Sequence, residues 1–151
     1  MNIRTHNGKE QVFCEWRRKW VRLTPEEHVR QWVLHSLVED TGYPKSLIAV
    51  EHPIQVAQVS KRCDAVVLAQ DLRPLCIIEF KAPDVTLAQR VFDQVAVYNR
   101  ALGVRYFIIS NGKQTYACRL KHLPQPLSQG EGGSSGYEFL EALPTYEEMS
   151  A

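Results

Sequence analysis

The 151-residue chain is long enough for one domain to bury a core without disulfide or metal staples. Its 44% hydrophobic and 23% charged content excludes a disordered chain, and its longest apolar stretches are too short to cross a bilayer as helices. A formal net charge of +1 excludes coating of nucleic acid by bulk charge, so any such contact must come from local patches.

In chain order, Met1 to Glu15 mixes charges and amides with no apolar run of signal-peptide length, and a cytoplasmic protein is expected. Arg17, Arg18, Lys19 and Arg22, interleaved with Trp16 and Trp20, form one basic patch, and Lys61 with Arg62 a second. Such runs serve as solvated faces or as nucleic-acid contacts. Cys14, Cys63, Cys76 and Cys118 are scattered singly, which predicts buried thiols rather than a metal or redox pair. The five histidines are unclustered and read as ordinary surface or boundary residues.

Thr24-Pro25-Glu26-Glu27 opens a helix, with Thr24 as N-cap, Pro25 at the first helical position and Glu27 closing a capping box. Val29, Trp32, Val33 and Leu37 supply its apolar stripe, and Thr41-Gly42-Tyr43-Pro44 ends it. The texture then turns to β over residues 47–50, 54–59, 64–69 and 75–81, with a turn at 71–74. A second helix follows Ala82-Pro83-Asp84, with Leu87, Val91, Val95 and Tyr98 on one face and Gly103 at its end. Residues 104–110 read as a buried strand, Asn111-Gly112 as a hairpin turn, and 114–120 as the returning strand. Residues 128–136 read as a flexible loop before a last edge strand over 137–143.

These elements predict an α/β domain with a central mixed β-sheet flanked by helices, in the order α-β-β-β-α-β plus C-terminal strands. It is expected to span residues 1–151 with its core over about 13–146. The strand, helix, strand passage from Leu75 to Ser110 implies a right-handed crossover and one parallel pair.

Glu79 and Lys81 interrupt an apolar strand, where charged residues are rare without partners. Separated by two, they face one side, about 6.5 to 7 Å apart, while Ile78 and Phe80 face the other. Asp64 sits in the preceding strand. If the hairpin is symmetric about Asp71 and Leu72, Asp64 opposes Glu79, with Cβ atoms roughly 4.5 to 5.5 Å apart. Two carboxylates so close repel unless a cation lies between them. Mg²⁺ or Mn²⁺ suits such oxygen ligands, with Lys81 offsetting the remaining charge. That chemistry fits phosphodiester hydrolysis, the lysine stabilising charge on phosphorus or orienting the nucleophile. Spacing alone equally allows a solvent-facing strand with an incidental acid pair.

Asp64, then fourteen residues, then Glu79-Phe80-Lys81, with a helix before and a helix plus strand after, resembles the PD-(D/E)xK nuclease superfamily. More narrowly, Leu23 to Gln31, Gly42-Tyr43-Pro44, Phe92 to Asn99 and Ser110-Asn111-Gly112 resemble the N-terminal nuclease domain of type I restriction enzyme R subunits. The resemblance covers about Phe13 to Tyr146 and implies a restriction-endonuclease-like core. It implies that Asp64 and Glu79 ligate Mg²⁺ or Mn²⁺ and that Lys81 is the catalytic lysine. Gln94 and Tyr98 match a Q-x-x-x-Y pattern whose members support the lysine or contact DNA, and Arg30 joins them as a supporting or DNA-binding residue.

An acid on the first helix completes the site in this superfamily. Glu26, sharing a face with Val29, Arg30 and Val33, is expected to point at the sheet and join the metal ligands, whereas Glu27 has a local role in the capping box. DNA is the implied partner, with proteins of a restriction or repair system beside it. The chain holds no G-x-x-x-x-G-K-[ST] loop, so the translocating motor of an R subunit is not expected within it. Two other readings are a non-catalytic DNA- or partner-binding module that keeps the fold, and an interaction protein without a nucleic-acid role.

Overall fold

The computed structural model describes residues 1–56, 58–121 and 136–151. The chain opens with an antiparallel sheet of β1 (Ile3–His6), β2 (Lys9–Cys14) and β3 (Lys19–Arg22). Asn7 and Gly8 join the first two strands with φ of 51° and 75°, the two left-handed residues that a tight hairpin needs. No strand is expected here from apolar alternation, because β1 is exposed throughout and only Val12 and Cys14 of β2 are buried. The Asn-Gly pair was the available signal.

Helix α1 (Pro25–Glu39) begins as the capping residues predict, with Thr24 Oγ1 accepting from the Glu27 amide at 3.1 Å. Its buried stripe is Val29, Val33, Leu34 and Leu37. Trp32 is a correction: it is 53% exposed, on the flank away from the sheet, and Leu34 fills the core instead.

The main sheet has the order β4-β5-β6-β7-β8-β9, comprising β4 (Ile48–Val56), β5 (Val59–Leu68), β6 (Pro74–Phe80), β7 (Tyr106–Ser110), β8 (Thr115–Leu120) and β9 (Tyr137–Phe139). Neighbours are antiparallel except β6 and β7, which run parallel across the helix α2 (Gln89–Leu102). The runs 47–50 and 54–59 are not separate strands. They merge into β4, and the chain turns after Val56; the edge position tolerates Pro53 because its missing N–H faces no partner strand. The last strand is shorter than expected, ending at Phe139, and a short helix α3 (Tyr146–Ser150) follows. Of the loop expected over 128–136, all but Gly136 lies outside the described residues.

Helices cover both faces of the sheet. On one, Val29, Val33 and Leu37 pack with Ala65, Val67, Ile78, Phe80 and Met149. On the other, Phe92 and Val95 meet Phe107 and Ile109, and Leu102 meets Cys63, Val66 and Ile77. All four cysteines are free and buried. No described helix is long and apolar enough to cross a membrane.

Tyr43 ties the segment after α1 to the chain's far end: its ring is 1% exposed and its hydroxyl donates to the Pro144 carbonyl at 2.5 Å. Tyr43→Phe strands that carbonyl, so urea titration should show a loss of about 1–3 kcal/mol with an unchanged slope.

Candidate active site

The β5/β6 ladder pairs Ala65 with Ile78, Val66 with Ile77 and Val67 with Cys76, so Asp64 and Glu79 are next in register. The ladder stops there, and the Asp64 carboxylate replaces it: Oδ2 accepts the Phe80 amide at 2.9 Å.

The same level carries a slip in both strands. Ala65 and Val67 pack on the α1 side, whereas Cys63 and Val66 both pack on the α2 side, three residues apart, which strict alternation forbids. On β4, Val50 packs on the α1 side and Ile54 on the α2 side, an even separation on opposite faces. Between them Glu51 has φ of 54°, a conformation a side chain adopts only at some cost. The β4/β5 pairing runs from Val50↔Ala65 to His52↔Cys63 and skips Glu51 and Asp64. Asp64 thus lies where both strands change the face they present, so its carboxylate reaches across the sheet instead of standing off one side.

One consequence concerns the charges nearby. Glu79 and Ile77 share the α2 face, and the slip brings Lys61 to that face as well. Lys61 Nζ lies 2.7 Å from Glu79 Oε1 and 4.3 Å from the centre of the Tyr98 ring on α2. By distance this is an ion pair, but its angles do not make a hydrogen bond, and Oε1 stays buried without an aligned donor among the described residues. Burial pushes the Glu79 carboxyl above the usual carboxylate range, the Asp64 charge adds to this, and Lys61 opposes it. On the α1 side, Arg30 Nη2 stands 3.4 Å from Asp64 Oδ1.

Lys81 follows β6 and is half-buried, its amide donating to the Ser110 carbonyl at 2.9 Å. Its ammonium makes no ion pair among the described residues. The cations in contact with the acid pair are therefore Lys61 on Glu79 and Arg30 on Asp64, whereas the strand spacing had set Lys81 beside it. Lys61 was visible only as part of a surface basic run, because alternation counted along β5 assigns it to the wrong face.

Gln94 and Tyr98 lie on the outer flank of α2, both exposed. Of the face expected from Leu87, Val91, Val95 and Tyr98, the first three pack on the core beside Phe92 and Ala96, and Tyr98 alone lies off it. Tyr98 is the site's neighbour only through Lys61.

The first-helix acids also reverse the expected orientation. The Glu26 side chain is 46% exposed and meets Arg30 Nη2 at 3.6 Å. Glu27 is buried and receives Arg17 Nη2 at 2.5 Å, Arg30 Nη1 at 2.5 Å and Gln31 Nε2 at 3.0 Å. The capping box expected of Glu27 is half formed: its amide donates to Thr24 Oγ1, but the Thr24 amide donates to the Arg22 carbonyl, and the Glu27 carboxylate turns inward to the arginines instead. Among the described residues, no three His, Cys, Asp or Glu side chains are grouped so as to hold a metal ion.

The fold and this acid pair place the protein among α/β domains built on a mixed sheet with helices on both faces. The chain belongs to the family of the type I restriction enzyme R protein N-terminus (HSDR_N), whose model matches residues 25–144. It is similar in fold to a structurally solved fragment assigned as the HsdR subunit of a type I restriction enzyme from Vibrio vulnificus YJ016. The TM-score is 0.57 at 17% identity, covering 84% of this chain and 24% of that one. The chain thus spans about a quarter of the length of that relative. Comparison with curated proteins gives no match.

Two predictions follow from the buried charges. Glu27→Ala removes the closest counter-charge of both Arg17 and Arg30, leaving them only their longer contacts to Glu51 and Asp64, so denaturant titration should show a loss of about 3–5 kcal/mol, whereas Glu26→Ala should stay within about 0.5 kcal/mol. Glu79 has a folded pKa raised above its unfolded value, so its contribution is full below the ordinary glutamate range and is lost as pH rises through the folded value. In metal-free buffer, thermal melts from pH 4 upward should therefore show a decline that Glu79→Gln flattens; parallel curves for the two proteins would refute it.

Proposed function

We propose that the protein is a metal-dependent nuclease that hydrolyses DNA phosphodiester bonds, with a PD-(D/E)xK arrangement on a restriction-endonuclease-like core. The observation that carries this reading is the approach of Asp64 and Glu79 across β5 and β6, where burial and the Asp64 charge push the Glu79 carboxyl above the usual range and its Oε1 is met among the described residues by the Lys61 ammonium alone. An oxygen atom so placed suits a hard divalent cation. Asp64 and Glu79 would hold Mg²⁺ or Mn²⁺, with Glu26, which shares Arg30 Nη2 with Asp64, as the further acid from α1. The cation would supply Lewis acidity toward a phosphoryl oxygen and acidify a bound water.

The chain's own groups account for the remaining chemistry. Lys81, without an ion pair among the described residues, is the cation available to stabilise charge on phosphorus. Arg30 steadies Asp64 through Nη2 while Nη1 is held by Glu27. Tyr98 and Gln94, exposed on α2, are positioned to meet DNA or to support the lysines, and Tyr98 already carries Lys61 on its ring. A restriction system would supply the protein partners, and the cytoplasm the setting.

Purified protein with Mg²⁺ should nick supercoiled plasmid, Lys81→Ala should reduce the rate by about a hundredfold or more, and Asp64→Asn should remove it. Mg²⁺ should also raise the melting temperature of the wild type but not of Asp64→Asn. Undiminished nicking by Lys81→Ala would defeat the assignment.

One observation favours a second reading, a DNA- or protein-binding module that keeps the fold without catalysis. Lys61 and Arg30 already set a cation against each acid. On that reading DNA binding is salt-sensitive, but no product appears with any divalent metal.

A further inference from the structure

The N-terminal sheet lies ahead of the segment that matches the family, residues 25–144. Strand register divides it into two faces. Ile3, Val12 and Val21 are opposed on one, with Glu10 and Cys14, and this face carries the buried Val12 and Cys14. The other is built from Arg4↔Gln11, Gln11↔Arg22, His6↔Lys9 and Phe13↔Trp20. Side-chain contacts agree with that division: Arg4 Nε donates to Gln11 Oε1 at 2.9 Å, the Arg4 guanidinium lies 4.2 Å from the Trp20 ring centre, and Phe13 meets Trp20 edge-on at 5.5 Å.

We infer that this outer face of β1–β3 binds an unpaired DNA strand, with Arg4, Lys9 and Arg22 on its phosphates and Trp20 with the overlying Arg4 guanidinium as a stacking surface for its bases. The face carries Arg4, His6, Lys9 and Arg22, all exposed, around the half-buried rings of Phe13 and Trp20. By register no carboxylate belongs to it, since Glu10 opposes Thr5 on the inner side. An ordinary solvated strand face mixes signs, whereas cations alternating with aromatic rings are the makeup of a single-strand platform. Size points the same way. Three strands span about 10 Å and four residues about 13 Å, which suits a few nucleotides of one strand. Planar guanidinium and indole groups stack on exposed base faces, and a duplex keeps its base faces covered.

The basic run read from the sequence is not this surface. Arg17 is buried between Glu27 and Glu51, Lys19 opposes Cys14, and Trp16 packs against His35 while its Nε1 donates to the Lys45 carbonyl. Only Trp20 and Arg22 carry over. The surface deepens the proposed action on DNA but needs no metal.

The test is fluorescence anisotropy of a labelled oligothymidylate with the full chain in EDTA. Arg4→Gln/Lys9→Gln/Arg22→Gln should weaken binding by roughly tenfold or more and make the slope of log K against log salt shallower by about 2. Trp20→Leu should weaken it by about fivefold or more. Far-UV circular dichroism and melting temperature check that the variants fold, and Arg22→Gln alone, at an exposed position, should show a partial loss if the triple variant does not fold. Unchanged affinity and salt slope would overturn the inference, as would a duplex of equal length binding as tightly as the oligothymidylate. Binding that persists without any Mg²⁺-dependent cleavage would sink only the hydrolytic reading, and cleavage that continues with binding unaffected by these substitutions would sink only this one.

Discussion

Two carboxylates that approach each other across β5 and β6 set the terms for every charged group around them. Buried acids repel, and the folded chain keeps them close only by bringing cations from separate elements. Lys61 comes from the far end of β5 and Arg30 from α1, and each is secured from behind. The Tyr98 ring backs Lys61, and Glu27 holds Arg30. Acid meets cation on both sides of the sheet, which is why the site needs both helices.

The chain of charges continues outward. Glu27 receives Arg17 as well as Arg30, and Arg17 also approaches Glu51 at 3.3 Å, the residue whose left-handed backbone marks the slip in β4. Burial raises the Glu51 pKa, but Arg17 and Arg62 outweigh it and hold this carboxyl below its ordinary range. Arg17 further donates from Nε to Cys14 Sγ at 3.2 Å, and these contacts lower the thiol's pKa against the effect of burial. The N-terminal sheet is therefore coupled to the acid pair through one continuous polar network. Removing a buried member leaves the next without its counter-charge, and such losses exceed what the intact pair contributes.

What could be read in advance follows from how local each signal is. Thr24 and Pro25 start α1, Gly103 with φ of 70° ends α2, and the turn near Asp71 fixes the register that brings Asp64 toward Glu79. Each depends on a few neighbouring residues. Lys61, read only as part of a basic patch with Arg62, could not be placed at the acid pair because its face rests on the number of residues between faces, and one irregularity at Glu51 and Asp64 reverses every side chain beyond it. Trp32 and Tyr98 failed for another reason: an apolar or aromatic residue at roughly helical spacing need not be on the buried stripe. Glu26 was preferred over Glu27 because a capping box would occupy the Glu27 carboxylate, whereas the Thr24 amide bonds the Arg22 carbonyl and two arginines draw that carboxylate inward.

The two lysines near the site then differ in kind. Lys61 is committed to Glu79 and lies beyond the paired region of β5 and β6, on the hairpin with the edge strand β4, its ammonium between Glu79 and the Tyr98 ring. Lys81 is anchored by its backbone to Ser110 on β7, inside the sheet, and has no carboxylate partner among the described residues. On the proposed reading a divalent cation held by Asp64 and Glu79 would supply counter-charge that Lys61 and Arg30 supply without it, and repulsion between cations would weaken the Lys61 contact. On that reading Lys61 serves the acid pair as its counter-charge in the metal-free protein, and Lys81, which contacts neither acid among the described residues, is the lysine proposed for the chemistry.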